Sequence, residues 1–275
     1  MPPGANRDPA RWPALRLSGK GTEFMNAART EPVQFGSPRT EPGSRRDAQS
    51  TLRRRWDAYD AYLFDIDGTL IQCRDAVHYF AFLATLQLLA GRNLDLAGVT
   101  THGNTDIGIL RDALALAGVA EEAWRPRIAE ACAGMCAIVN EHQEEFNALA
   151  LPGSRRVLAH LRRRRAFVLV ATGNLESIGR MKLEHCGLLG YFHGGAFSDG
   201  FEFREDVFRS GVARIRNSLG NNAAICAFGD TPADIRAAHA CGIDVIAVAT
   251  GVHSPEQLGA EGPSLCLPSL QRLFA

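Results

Sequence analysis

From residue 58 onward, short apolar runs recur along the chain, and each ends in polar, turn-forming residues. Ala61-Tyr62-Leu63-Phe64 leads into Asp65-Ile66-Asp67-Gly68-Thr69. Residues 166–171 lead into Thr172-Gly173-Asn174, 223–228 into Gly229-Asp230, and 243–249 into Thr250-Gly251. A weaker run, Gly195-Ala196-Phe197, ends at Ser198-Asp199. Near-continuous apolar runs of this length suit strands buried on both faces. Between them, 154–163, 175–186, 205–218 and 232–240 read as helices. This alternation predicts an α/β fold with a parallel sheet covered by helices.

The interval between the first two strands has a different period. Val77, Phe80, Leu83, Leu86 and Leu89 recur at helical spacing over 75–91, and Ile107, Leu110, Leu114 and Leu116 do so over 105–117. A third helical block covers 121–147 and is interrupted near Pro126; Pro152-Gly153 then returns the chain to the sheet. The pattern therefore predicts a core of 58–73 and 151–275, with residues 74–150 inserted as an all-helical unit.

Residues 1–57 show no sustained apolar period. They hold seven of the 13 prolines and carry 11 Lys and Arg against 6 Asp and Glu, although the whole chain has net charge 0. They read as a flexible basic extension, with Met25 as a candidate later start. A basic arm can bind nucleic acid, but interspersed acids and few aromatics argue against that here. With 46% apolar and 22% charged residues, the chain as a whole has ordinary globular composition. No stretch approaches the roughly 20 apolar residues of a membrane span, and no apolar leader core opens the chain. The seven cysteines are scattered without a C-x-x-C pair. Cys132 and Cys136 alone make no metal site, so reduced thiols and a cytoplasmic location are expected.

In open parallel sheets, ligands bind at the carboxyl ends of the strands, where this chain keeps its reactive residues. Each group has a plain reading by itself. Asp67-Gly68-Thr69 can be a turn, and Asp230 or Thr172 can cap the helix that follows. Taken in order, they bring Asp65, Asp67 and Asp230 toward one crevice. Such a cluster calls for a cation, and hard oxygen ligands suit Mg²⁺. A carboxylate beside Mg²⁺ can attack a phosphoryl group and form an acyl phosphate.

Over residues 59–275 the sequence resembles the haloacid dehalogenase (HAD) superfamily, whose core is Rossmann-like. Asp65-Ile66-Asp67-Gly68-Thr69 matches its first motif, Thr172 its second, and Gly229-Asp230 through Asp234 its fourth. The helical insertion resembles the family's C1-type cap. Gly103-Asn104-Thr105-Asp106 resembles the cap loop of phosphoglycolate-phosphatase-like members. The third motif needs a basic residue. Arg204, 26 positions before Asp230, is the candidate; Lys182, eight positions into the helix that follows Thr172, is expected at the surface.

The resemblance implies a phosphatase acting on a small phosphorylated metabolite. Asp65 would be the nucleophile and Asp67 the general acid and base. Thr172, Gly173, Asn174 and Arg204 would hold the phosphoryl oxygens. Mg²⁺ would be held by Asp65, the Asp67 backbone carbonyl and Asp230, with Asp234 acting through water. Gly103, Asn104 and Asp106 would meet the leaving group, with His102, Thr105, His78 and Tyr79 as further candidates. The resemblance favours 2-phosphoglycolate. The presence of Asp67 points to phosphate esters. A phosphosugar mutase and a catalytically idle scaffold remain the alternatives.

Overall fold

The computed structural model describes residues 50–274; most of the predicted extension, residues 1–49, lies outside them. Strand β1 (Ala61–Phe64) is buried along its whole length, as its unbroken apolar sequence requires. It is the centre of a parallel six-stranded sheet ordered β5-β4-β1-β6-β7-β8. The other strands are β4 (Phe167–Ala171), β5 (Gly195–Ala196), β6 (Ile225–Gly229), β7 (Asp244–Val248) and β8 (Leu265–Leu267). Ala61 stands opposite both Phe167 and Ile225, and Phe64 opposite both Val170 and Phe228. The carboxyl ends of β1, β4 and β6 therefore finish level.

The two faces of β1 bury different side chains, as the two-residue period of a strand demands. Ala61 and Leu63 join a cluster with Val207, Phe208, Val212 and Ile215 of helix α7 (Arg204–Leu219) and Ile235, Ala237 and Ala238 of helix α8 (Pro232–Ala240). Gly211 lets α7 approach, since a Cβ there would lie 2.9 Å from Leu63. Tyr62 and Phe64 belong to an aromatic stack, with the rings of Phe64 and Phe228 4.5 Å apart and nearly parallel.

After β1 the chain turns at Gly68 (φ +81°) into a short antiparallel ribbon, β2 (Ile71–Cys73) and β3 (Ala148–Ala150). The helical cap lies between these two strands. It contains α1 (Val77–Ala90), α2 (Asp106–Leu116), α3 (Glu121–Trp124) and α4 (Ile128–Glu141). Pro126 sits in a 3₁₀ turn, Arg125–Arg127, just before α4, so the expected interruption falls where proline cannot donate a helical hydrogen bond. Helices α1 and α4 pack on each other and bury Leu86, Leu89, Met135 and Val139.

Two core helices cover the sheet after the cap: α5 (Ser154–Arg163) and α6 (Glu176–His185). A last helix, α9 (Pro255–Ala260), precedes β8. Neither α9 nor the strands β2, β3 and β8 was predicted; the three strands have only three residues each, too few to show a period.

The assignment of 50–57 to a flexible extension is corrected. Thr51 donates its backbone N–H to Ser264 O (2.8 Å), and Arg53 pairs with buried Asp244. The ring of Trp56 packs on His160 and Phe274, and buried Asp57 pairs with Arg55 and His160. Scattered single anchors of this kind leave no periodic trace in a sequence.

Candidate active site

The centre of the sheet is a switch point: from β1 the chain passes to β4 on one side and later to β6 on the other. Splaying of the connections there opens a crevice. A cavity of about 400 Å³ occupies this place, between the strand ends and the cap. A wider depression of about 710 Å³ lies at the amino ends of the strands, beside Asp60, Arg164 and Asn222, and holds none of the strand-end carboxylates.

Asp65 is 5% exposed and donates its backbone N–H to Phe228 O at 3.0 Å. Arg204, the first residue of α7, donates from Nη2 to Asp65 Oδ1 at 2.6 Å. The same guanidinium donates from Nε (2.8 Å) and Nη2 (2.5 Å) to Asp234 Oδ1. Arg204 thus bridges Asp65 and Asp234. The other oxygen of Asp234 accepts from the Thr231 hydroxyl (2.7 Å) and backbone N–H (3.1 Å), in a capping box at the start of α8. Both oxygens of Asp234 therefore already have protein partners.

Asp230 accepts from Thr69 Oγ1 at 3.0 Å. Two glycines confine it: a Cβ on Gly68 would lie 2.2 Å from Asp230 Oδ2, and one on Gly251 1.7 Å. Carboxylate oxygens of Asp65, Asp230 and Asp234 come within 4.8 Å of one another. Burial, only partly offset by Arg204 and reinforced by Asp234, pushes the Asp65 carboxyl up to about 7. Burial and then the Asp65 and Asp234 charges push Asp230 well above the usual range. One arginine does not neutralise three buried acids, so the donor set fits a divalent cation with oxygen ligands.

Asp67 is not part of that cluster. Its half-exposed carboxylate turns the other way, toward Lys182, whose Nζ donates to Oδ1 at 3.0 Å and Oδ2 at 2.8 Å. Asn174 Nδ2 adds a bond to Oδ2 at 2.7 Å. Confinement alone would raise the Asp67 carboxyl; the Lys182 ammonium outweighs it, with help from Asn174, and holds the group at about 2.

The expectation of a surface Lys182 is therefore wrong: the residue is 4% exposed. Its depth along α6, counted from Thr172, is real, but helical side chains lean back toward the N-terminus. A four-carbon stem then returns the ammonium to the strand ends. The available signal was compositional, since Lys182 is one of two lysines in an otherwise arginine-using chain.

Thr172 is fully buried, and its hydroxyl accepts from Asn174 Nδ2 at 2.7 Å. Gly173 meets the cap loop, because a Cβ there would lie 2.0 Å from Asn104 O. Asp106 donates its backbone N–H to Gly173 O (2.7 Å), and its carboxylate accepts from Leu175 N (2.8 Å) beside His78 Nε2 (3.3 Å). Asn104 donates to Thr100 O and Asp112 Oδ2 and accepts from Thr105 N. Gly103 (φ +78°) lies against Thr231, which a Cβ would approach to 2.7 Å. The loop does border the cavity, but it fastens cap to core. The polar groups of Asn104 and Asp106, both at the cavity wall, make their bonds to protein partners.

A second fastening had no sequence signal. Glu202, two residues before Arg204, pairs with cap residues Arg111 (3.3 Å) and Arg125 (2.5 Å). Arg111 also lies over the Phe203 ring at 4.5 Å. Isolated charges separated by about 80 residues cannot be paired from one sequence. Gln72, Cys73, His78, Phe82, His102 and Val252 also line the cavity.

Known proteins share this chain's family and fold. The profile of a family described as haloacid dehalogenase-like hydrolase matches residues 59–242. Among solved structures, CbbY from Rhodobacter sphaeroides in complex with phosphate superposes with a TM-score of 0.58 at 20% identity, over 78% of this chain and 96% of that one. A predicted phosphatase from Clostridium acetobutylicum gives 0.56 at 21% identity, and a predicted phosphoglycolate phosphatase from Haemophilus somnus 0.56 at 16%, with the same coverages. No curated protein matches.

Proposed function

The chain belongs to the haloacid dehalogenase-like hydrolases, and from that premise we propose that it is a Mg²⁺-dependent phosphatase for a small phosphomonoester. Residues 74–150 form its cap over a core of 58–73 and 151–275. The observation that carries the reading is Asp65 at the tip of β1, gripped by Arg204 at 2.6 Å and set among further buried acids.

The Asp65 and Asp230 carboxylates and the Asp67 backbone carbonyl would hold Mg²⁺, with Asp234 supporting the site from behind. When bound, the ion supplies charge neutralisation for the phosphoryl group and for Asp65. An Asp65 oxygen then attacks phosphorus in line, and the bond from phosphorus to the leaving oxygen breaks. Asp67 gives a proton to that oxygen and takes one from the water that cleaves the aspartyl phosphate. Thr172, the amides of Gly173 and Asn174, and Arg204 orient the phosphoryl oxygens. Catalysis of this kind is mostly positioning and electrostatics.

The cavity volume suits a compact leaving group. The reference substrate that the resemblance supplies is 2-phosphoglycolate. Both fixed cations at the cavity, Lys182 and Arg204, are already ion-paired, so His102 is the residue placed to meet a second anion. The seven cysteines are unpaired, which suits a reducing cytoplasm, and no helix among the described residues is long and apolar enough to cross a membrane.

The test is phosphate release with Mg²⁺ across a panel that includes 2-phosphoglycolate, glycerol phosphate and an aryl phosphate. Release from one or more of these supports the reading. Stoichiometric conversion of a hexose phosphate to its isomer, with little free phosphate, would replace it with a mutase. No turnover of any kind would leave a binding scaffold.

A further inference from the structure

We propose that Lys182 is the positioning residue for Asp67, fixing the acid–base carboxylate in one geometry for both halves of the reaction. The proposal rests on the phosphatase reading and deepens it. The Asp67 carboxylate has two sides. One is open to the cavity; the other is held by Lys182 on both oxygens and by Asn174 on one.

The ammonium has no donor left over for substrate. Lys offers three N–H groups, and the partners of Nζ are the Asp67 carboxylate, Asn174 Oδ1 at 2.7 Å and His78 Nδ1 at 3.4 Å. A cation 4% exposed stays charged there because its anionic partner is adjacent. Moving toward a phosphoryl group would strip it of these bonds. Arg204 has the separate task of facing Asp65 and Asp234. Lys182 therefore acts through Asp67.

The cage around Lys182 spans cap and core. His78 comes from α1, and its other nitrogen lies 3.3 Å from Asp106, which binds Leu175 N at the start of α6. The docked cap thus completes the surroundings of the residue that holds Asp67. Displacing a catalytic group by about 1 Å costs on the order of 10²-fold in rate, which sets the expected size of the effect.

The experiment uses the full chain with Mg²⁺ and two substrates. One is an alkyl phosphate, whose leaving oxygen needs a proton. The other is a nitrophenyl phosphate, whose phenolate leaves unaided. In Lys182→Met, kcat on the alkyl phosphate should fall about 10²-fold with KM within about 3-fold. On the aryl phosphate, Asp65 should still bond to phosphorus and expel the phenolate in one fast turnover per site. Slow release of phosphate follows, because the attacking water lacks a well-placed base. Lys182→Arg should restore part of kcat. In an Asp67→Asn background, Lys182→Met should change neither the burst nor the slow phase.

Loss of the burst together with steady turnover in folded Lys182→Met would overturn the proposal, because a merely structural role predicts it. A rise in KM at unchanged kcat would overturn it in favour of phosphate binding. Additive losses in the double variant would also overturn it, and this cycle decides the matter if the single variant folds poorly, since the double variant removes both charges. Wild-type protein inert on both substrates would instead remove the phosphatase reading beneath it.

Discussion

Asn104 and Gly173 touch backbone to backbone: a Cβ on Gly173 would fall 2.0 Å from the Asn104 carbonyl oxygen. The neighbouring bonds, Asp106 N–H to Gly173 O and Leu175 N–H to Asp106 Oδ2, tie the same two loops in opposite directions. The contact closes over the residues that would hold the phosphoryl group.

Gly173→Ala should therefore push the cap loop away without damaging the sheet. We expect kcat/KM on the best substrate to fall by about 10² or more, with a small change in Tm. Steady-state kinetics beside a thermal melt checks this. Unchanged kinetics would mean that the loop contact has no part in turnover.

Asp65→Asn should abolish turnover and leave the fold intact, because the amide keeps the shape but cannot form an acyl phosphate. Asp67→Asn should lower the rate on alkyl phosphates by about 10² to 10⁴. Phosphate release and circular dichroism on the same samples test both. Wild-type-like turnover by Asp65→Asn would defeat the mechanism.

The acid cluster sets a pH-dependent response to Mg²⁺. In the metal-free protein Asp65 is held at about 7 by burial, with Asp234 adding to the rise against Arg204, while an unfolded aspartate titrates near about 4. Between these values the folded state binds the extra proton, so this group's contribution to stability falls as pH rises. Asp67, held at about 2 by Lys182 against confinement, acts oppositely: its contribution is present above about 4 and lost as pH falls toward 2. Mg²⁺ held by Asp65 and Asp230, as proposed, would compete with protons for these carboxylates. The rise in Tm on adding Mg²⁺ should be larger at pH 8 than at pH 5.5. An increment independent of pH would exclude these carboxylates as ligands.

Truncation should separate two parts of the N-terminal region. Cutting after residue 57 removes Trp56, Asp57 and the Arg53 pair with Asp244. It should lower Tm by about 4–8 °C relative to a chain beginning at residue 50. Equal melting temperatures would show that these contacts contribute little.

Much of the fold was legible because the central strands are buried on both faces and show it as unbroken apolar runs. Helices 154–163 and 232–240 ended where predicted, the second marked by Thr231, Pro232 and Asp234 at its start. Arg204 was singled out by its spacing to Asp230, and its guanidinium lies against Asp65. What the sequence hid was of two kinds. Strands of three residues carry no period. Pairings such as Glu202 with Arg111 and Arg125, or Lys182 with Asp67, depend on side-chain reach across distant segments, which a one-dimensional pattern does not encode.

The paired strands β2 and β3 carry both chain crossings into the cap, and the Gly103–Asp106 loop meets the core elsewhere. A lid joined by two adjacent strands can rotate about the line they define, like a door on its pivot, while sliding would shear their ladder. The loop is then a latch on the free side, and Glu202 a second one. Substrate entry becomes a matter of releasing latches rather than bending helices. Its rate should respond to salt through the Glu202 pairs and be indifferent to changes within α1 or α4.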